Sequence, residues 1–335
     1  VSYEGEIILT LGIEVSALGM GAVLQATAVS VNIRERLDFS CALFDASGAL
    51  IANAPHMPVH LGSMGASVRA VIAANADGLR PGRAWMLNAP YAGGTHLPDI
   101  TVVNPVFAGG ATAPAFWVAS RAHHADIGGI TPGSMPPASR TIDDEGVLVE
   151  NFLLLDQGRL RERELRDLLA SGRWPARNPD QNVADLKAQL AANARGMAEL
   201  EALIARAGLG AVRDYLGHVQ DNAEACVREV IGRLRDGHRR VEMDDGSTIE
   251  VRVTVEGGSR SAVVDFAGTS PQQAGNFNAP LAVCTAAVLY VFRTLVRESI
   301  PLNSGCLEPL DIRVPPRTLL SPEYPAAVVA GNVET

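Results

Sequence analysis

The rhythm of apolar and polar positions changes twice along the chain. Up to about residue 150 the apolar residues come in short runs broken by Gly, Pro, Asn and His. Residues 41–45 and 49–51, separated by Ala46-Ser47-Gly48, predict a β-hairpin whose turn chemistry is Ser-Gly. Residues 100–107 and 115–119 have strand composition and flank Gly109-Gly110, so a further pair of strands is expected there. The Ala-rich stretch 17–29, carrying Met20, Val23 and Leu24, predicts a helix ahead of the first strand.

Between 160 and 237 the period lengthens. Val183, Leu186, Leu190, Met197, Leu200 and Ile204 fall three, four or seven apart, the spacing of an apolar seam on one helix. Gly208 and Gly210 interrupt it, and Val212, Leu216, Val219, Cys226, Val230 and Leu234 carry a second helix to Gly237. The two predict an antiparallel helical hairpin. Alternation returns at Ile249, Val251, Val253 and Val255, a further strand is expected at 262–266, and 279–298 reads as a helix apolar on most sides and therefore buried. The expected class is α+β in three regions: 1–155, a Gly-rich mixed β region; 156–238, the helical hairpin; and 239–335, strands and a helix. The chain opens on Val1 and ends Gly331-Asn332-Val333-Glu334-Thr335 with no terminal helix or polar tail, so a piece of a longer polypeptide is expected, truncated in its third region.

Composition narrows the setting. The 335 residues are 47% hydrophobic and 19% charged, which fits a packed protein of two or three subdomains. The net charge of -9 and the lack of a Lys/Arg stripe argue against nucleic-acid binding. Cys41, Cys226, Cys284 and Cys306 stand apart without CxxC spacing, as free thiols in a reducing, cytoplasmic setting would. No signal peptide is visible, and the longest apolar stretch, 281–296, is broken by Arg293 and too short to cross a membrane.

Candidate chemistry concentrates in the first region. In Asn88-Ala89-Pro90-Tyr91-Ala92-Gly93-Gly94-Thr95-His96-Leu97-Pro98-Asp99, a glycine pair permits a tight turn, and an imidazole and a carboxylate three residues apart can converge on one cation. In Ser120-Arg121-Ala122-His123-His124-Ala125-Asp126, adjacent histidines at a strand end point to opposite sides, so one can ligate while the other packs or meets a substrate. Spacing does not choose between His123 and His124, and structural roles for all these histidines weigh equally with metal binding. His56-Met57-Pro58-Val59-His60 reads mainly as a Pro-stiffened loop with surface histidines, and Asp38 as a strand-end cap. Cys41 reads as a small buried residue rather than a nucleophile, and no phosphate-cradling Gly motif is present. Gly275–Asn278 and 331–335 read as ordinary turns that could also line a site.

Taken together, Asn32-Ile33-Arg34-Glu35-Arg36-Leu37-Asp38-Phe39-Ser40, Pro58-Val59-His60-Leu61-Gly62-Ser63-Met64, Gly93–Asp99 and the run from His123 to Pro137 resemble the hydantoinase B/5-oxoprolinase family, and the resemblance continues through 215–220 and 265–272 to the last residue. It implies a two-component, cytoplasmic machine. A hydantoinase A-type subunit binds ATP and Mg and phosphorylates the carbonyl oxygen of a cyclic amide; the hydantoinase B-type chain opens the activated ring with water. It also implies one divalent transition metal (Zn, Mn, Fe or Ni) held by Asp38, His96, Asp99 and His123, with His124, Asp126 and His60 orienting ligands or moving protons, and a hetero-oligomer acting on a small lactam such as 5-oxoproline or a hydantoin. A ketone carboxylase subunit and a non-catalytic assembly subunit with a structural metal are the competing readings. Ala89 stands where the family commonly has Asp, and Gly65 where it has Pro or Gln; neither is among the implied ligands.

Overall fold

The computed structural model describes residues 16–53, 57–298 and 300–335; His56 lies outside them. A helix over 16–27 (α1) and the short α2 (Val31–Arg34) lead into a sheet of strand order β2-β1-β5-β4-β3-β6-β7. Its strands are β1 (Phe39–Asp45), β2 (Leu50–Asn53), β3 (Ala84–Leu87), β4 (Asp99–Val106), β5 (Phe116–His123), β6 (Phe152–Asp156) and β7 (Arg159–Leu160), all paired antiparallel. The expected hairpin at Ser47-Gly48 and the strand pair around Gly109-Gly110 are both present.

Helices cover both faces of this sheet. α3 (Pro58–Ala74) lies on one, where Met64, Val68 and Val71 pack with Phe44, Trp85, Leu87, Val103 and Trp117. α5 (Pro179–Ala207), preceded by α4 (Glu162–Leu169), lies on the other with α1, where Ala188, Ala192, Leu200 and Leu203 meet Phe39, Cys41, Leu43 and Val118. Each fully buried large side chain contributes about 1.5–3 kcal/mol, so both layers fix the central strands firmly. α6 (Leu209–Ile231) follows α5 across Gly208, as the second seam predicts, and carries the chain to a second sheet of order β11-β10-β9-β8. That sheet comprises β8 (Gly237–Glu242), β9 (Thr248–Glu256), β10 (Ser261–Asp265) and β11 (Leu310–Arg313), with β11 parallel to β10. α7 (Leu281–Leu295) packs with it through Cys284, Val288, Leu289 and Phe292.

Three expectations are corrected. The stretch around Pro58 and His60 is no loop: Pro58 occupies the first turn of α3, and His60 is 1% exposed. α7 is not buried all round, because Leu281, Tyr290, Val291 and Leu295 are each 44% or more exposed along one flank. The end of the chain does form a single helical turn, α8 (Gly331–Glu334). The four cysteines are free as expected, and Cys41 is fully buried, its thiol pushed up by burial. Among the described residues no helix is long and apolar enough to cross a membrane.

Candidate metal centre

Strand register builds the site. β5 lies between β1 and β4; Asp99 pairs directly with His123, and the Phe39–Ala122 pairing continues to a hydrogen bond from His123 N to Asp38 O of 3.0 Å. Because side chains alternate between faces, Asp38, His123 and Asp99 form one row across three strands on the face that α3 covers. His96 enters from the loop ahead of β4, whose turn closes through Asp99 N to His96 O (3.0 Å), and His60 enters from the first turn of α3.

Gly93 and Gly94 make that loop possible. Gly93 has φ +84°, and a Cβ there would meet the α3 backbone at Ala66 C and Ser67 N, both 2.5 Å away. A Cβ on Gly94 would meet Ala89 O and Asn88 O, also at 2.5 Å. The buried Asn88 amide closes the loop's other end, donating to Leu97 O and Val147 O and accepting from Val149 N.

At the centre is the Asp99 carboxylate, 1% exposed. Its Oδ2 accepts from Thr95 Oγ1 (2.6 Å) and lies 3.0 Å from His96 Nδ1 and 3.3 Å from His60 Nε2. Its Oδ1 lies 3.3 Å from His123 Nδ1, off the line of a hydrogen bond, and is buried without a hydrogen-bond partner. Burial alone would push this carboxyl up; the charges of His96 and His60 and the contact with His123 outweigh it and hold it well below the usual range. The His123 ring is likewise pushed down by burial, more than offset by Asp99 and Asp38, so it holds its proton more tightly than a free imidazole. The His96 and His123 rings are 4.9 Å apart, and candidate ligand atoms of His96, Asp99 and His123 all lie within 4.8 Å of one another, the one such group among the described residues. Asp38 Oδ2 stands 3.6 Å from His123 Nδ1; with 27% of its side chain exposed, it marks the open edge of the cluster. Two imidazoles and two carboxylates, one with an oxygen lacking any donor, form a donor set suited to a divalent transition metal.

Of the other residues expected at the site, only His60 is part of it. Its Nδ1 meets Ser40 Oγ at 3.1 Å while Nε2 faces Asp99, so it fixes the carboxylate from below rather than facing a substrate. His124 is turned to the opposite face, as the strand's alternation requires: Nε2 meets Gln189 Oε1 at 3.1 Å and Nδ1 meets Asn182 Nδ2 at 3.2 Å, both from α5. Burial pushes its ring down, favouring the neutral form. Asp126 ties a loop instead, accepting from Gly128 N, Gly133 N and Arg177. Neither residue reaches the cluster, which corrects the expectation of proton-moving roles for them there.

Three further contributors come into view, of which Asn332 lies in a stretch, 331–335, that the sequence offered as able to line a site. Thr95 stands beside the glycine pair, yet a lone threonine in a turn carries no signal of its own. Arg121 shares its face of β5 with His123 by the two-residue period; it is fully buried and donates to Thr101 Oγ1 (2.8 Å), Ser63 Oγ (2.5 Å), Ser67 Oγ (2.8 Å) and Gly93 O (3.1 Å). Burial lowers its guanidinium to about 10 despite the opposing charge of Asp99. Asn332, 236 residues beyond His96, brings its Nδ2 to 3.0 Å from His96 Nδ1. A clasp fixes the segment that carries it: Glu145 Oε1 accepts from Val328 N, Val329 N and Ser139 Oγ, Tyr91 Oη donates to Ala326 O, and Asn278 Nδ2 donates to Ala327 O. Burial raises the Glu145 carboxyl to about 7.

The comparisons with known proteins converge on one family. Residues 8–335 match the family model described as Hydantoinase B/oxoprolinase. The chain belongs to this family. It is 46% identical over 340 residues to 5-oxoprolinase 1 of Arabidopsis thaliana, a match covering 94% of this chain and 27% of that protein. It is 44% identical over 331 residues to the 5-oxoprolinase of Saccharomyces cerevisiae, covering 95% of this chain and 26% of that protein. The ATP-dependent caprolactamase from Pseudomonas jessenii superposes with a TM-score of 0.86 at 25% identity, over 99% of this chain and 57% of the caprolactamase chain. The mixed fold, with helices on predominantly antiparallel sheets, is thus that of the family, and the chain spans about a quarter to just over half of these relatives' lengths.

Proposed function

We propose that this chain is the ring-opening component of an ATP-dependent cyclic amide hydrolase, acting on 5-oxoproline or a hydantoin, with one divalent transition metal held by Asp38, His96, Asp99 and His123. The observation that carries this reading is the convergence of His96, His123 and His60 on a buried carboxylate whose Oδ1 has no hydrogen-bond donor. Such an arrangement calls for a cation in the cluster. The relatives supply the reaction class: 5-oxoprolinase and caprolactamase are both named for cyclic amides, and the caprolactamase is named as ATP-dependent. That ATP dependence fits an ATP-binding component of the hydantoinase A type, on a partner subunit or a further domain, and we place the two in a cytoplasmic hetero-oligomer.

Each residue then has a task. Held by these residues, a divalent ion would supply Lewis-acid activation of the attacking water or of the developing oxyanion; phosphorylation of the carbonyl oxygen by the partner makes the lactam carbon electrophilic, since an unactivated lactam is a poor electrophile. Thr95 and His60 hold Asp99 Oδ2, leaving Oδ1 for the ion. Arg121 keeps a buried positive charge beneath the acidic cluster and pins the Gly93 carbonyl. Asp38 and the partly exposed His123 form the side from which substrate enters.

The test is reconstitution. 5-Oxoproline, hydantoins and simple ketones are offered with ATP and bicarbonate, with and without the ATP-binding partner. Lactam opening that needs both ATP and the partner is expected. Robust hydrolysis without ATP, or bicarbonate incorporation into a ketone with no lactam opening, would overturn the assignment.

A further inference from the structure

Asn332 is an odd group to find against a metal-ligating histidine. Its Nδ2 lies 3.0 Å from His96 Nδ1, the same ring nitrogen that lies 3.0 Å from Asp99 Oδ2, while its own Oδ1 is buried with no hydrogen-bond partner. The side chain does not reach this position by chance of a loose chain end. Gly331 N donates to Asn276 O, and a Cβ on Gly331 would meet Asn278 O at 2.3 Å, so the backbone beside Asn332 is seated directly on the 276–278 turn. The Glu145 clasp on Val328 and Val329 fixes the residues before it.

With His96 neutral and its Nδ1 unprotonated, as a metal ligand must be, the Asn332 N–H has that nitrogen's lone pair as its acceptor. An ion held by His96 Nδ1 takes the lone pair, and the part-buried N–H loses its acceptor. A half-turn of the amide exchanges Nδ2 for the unpartnered Oδ1 and removes that penalty.

We propose that Asn332 is a fifth donor to the metal of this site, its carboxamide oxygen turning onto the ion when the ion binds. This rests on the metal reading above and extends it. The donor set becomes two imidazole nitrogens and three hard oxygens from Asp38, Asp99 and Asn332. Five donors rich in oxygen suit an ion that accepts high coordination numbers, such as Mn(II), better than a tetrahedral Zn(II). Asn332 therefore acts on metal choice as well as on affinity.

The experiment measures Mn(II) and Zn(II) affinities of the full-length protein, by competition with a chromophoric chelator, for the wild type, Asn332→Ala and Asn332→Asp. Thermal unfolding of the metal-free forms is recorded alongside. Asn332→Ala should weaken Mn(II) binding by about tenfold or more and Zn(II) binding by less than about threefold, with little change in metal-free Tm. Asn332→Asp, which presents an oxygen in either orientation, should bind Mn(II) at least as tightly as the wild type. Mn(II) affinities equal in the wild type and Asn332→Ala would overturn the proposal and leave the metal site standing. Equal weakening of both ions together with a lowered metal-free Tm would overturn it in favour of a structural role, and so would loss of Mn(II) binding in Asn332→Asp. A wild type that binds neither ion would remove the metal reading and the proposal together.

Discussion

Replacing Gly93 with alanine tests how the site is built, because the structure separates two costs. A left-handed backbone, φ +84° here, costs a residue with a Cβ about 1–2 kcal/mol. The added methyl would also stand 2.5 Å from Ala66 C and Ser67 N, backbone atoms of α3 that cannot swing aside as a side-chain end can. Overpacking of this kind adds about 1–3 kcal/mol, so Gly93→Ala should lose about 2–5 kcal/mol in all. Gly109 is the control: its φ is +61°, and nothing lies within 4 Å of the Cβ it would gain, so Gly109→Ala should lose only the conformational cost of about 1–2 kcal/mol. Equilibrium urea unfolding of both variants gives the two figures directly. Since Gly93 O also anchors Arg121 and Ser67, the displaced loop should weaken metal binding in Gly93→Ala and leave it unchanged in Gly109→Ala. Equal losses for the two variants would refute the close approach of the loop to α3 as the reason for glycine at 93.

Three further outcomes are expected. His124→Phe should lose about 1–3 kcal/mol by stranding Gln189 and Asn182 yet keep its metal, whereas His123→Asn should lose the metal; unfolding and metal content measured on both decide which neighbour ligates. Arg121→Lys keeps the buried charge but cannot reproduce the guanidinium's four contacts, so at least one bond worth about 1.5–3 kcal/mol should be lost; an unchanged urea midpoint would contradict this. Glu145 holds its proton up to about pH 7 in the folded chain, against an ordinary value of 4.5, so the folded state binds a proton that the unfolded state has released. Stability relative to Glu145→Gln should therefore fall as pH rises from 4.5 to 7, by an amount on the order of 3 kcal/mol, with the whole loss in place above 7; parallel pH profiles would exclude this.

The site was legible where chemistry and local spacing coincide. Gly93–Asp99 announces a tight turn carrying two donors, and the strand ending in His123-His124 announces two donors on opposite faces; both arrangements are present. The long seams of α5 and α6 were legible because a period of 3.6 sustained over several turns has few rivals. α3 was not, and its packing explains why. Gly62 sits in its first turns, where a Cβ would meet Ala286 Cα of α7 at 2.3 Å, so close helix contact demands a residue that dilutes the helical signal. The local pattern therefore gives His60 no place beside Asp99, and only the family resemblance points to it. Asp38 lay on the correct face by alternation, yet nothing local says that β1 would neighbour β5, and register between distant strands is a tertiary property. Asn332 is the extreme case: it meets His96 only through a clasp made by Glu145, Asn276 and Asn278, residues with no sequence periodicity in common.

The measurement that tests the central claim most directly is elemental analysis of the purified protein after incubation with Zn, Mn, Fe and Ni salts and removal of loose metal, comparing wild type with His96→Ala, Asp99→Ala and His123→Ala. The account predicts a full equivalent of a transition metal in the wild type and its loss in each of the three variants, with Asp99→Ala the most severe because both ligating histidines, and His60 beside them, turn on that carboxylate. Bound metal unchanged by all three substitutions, or none in a folded wild type, would contradict it.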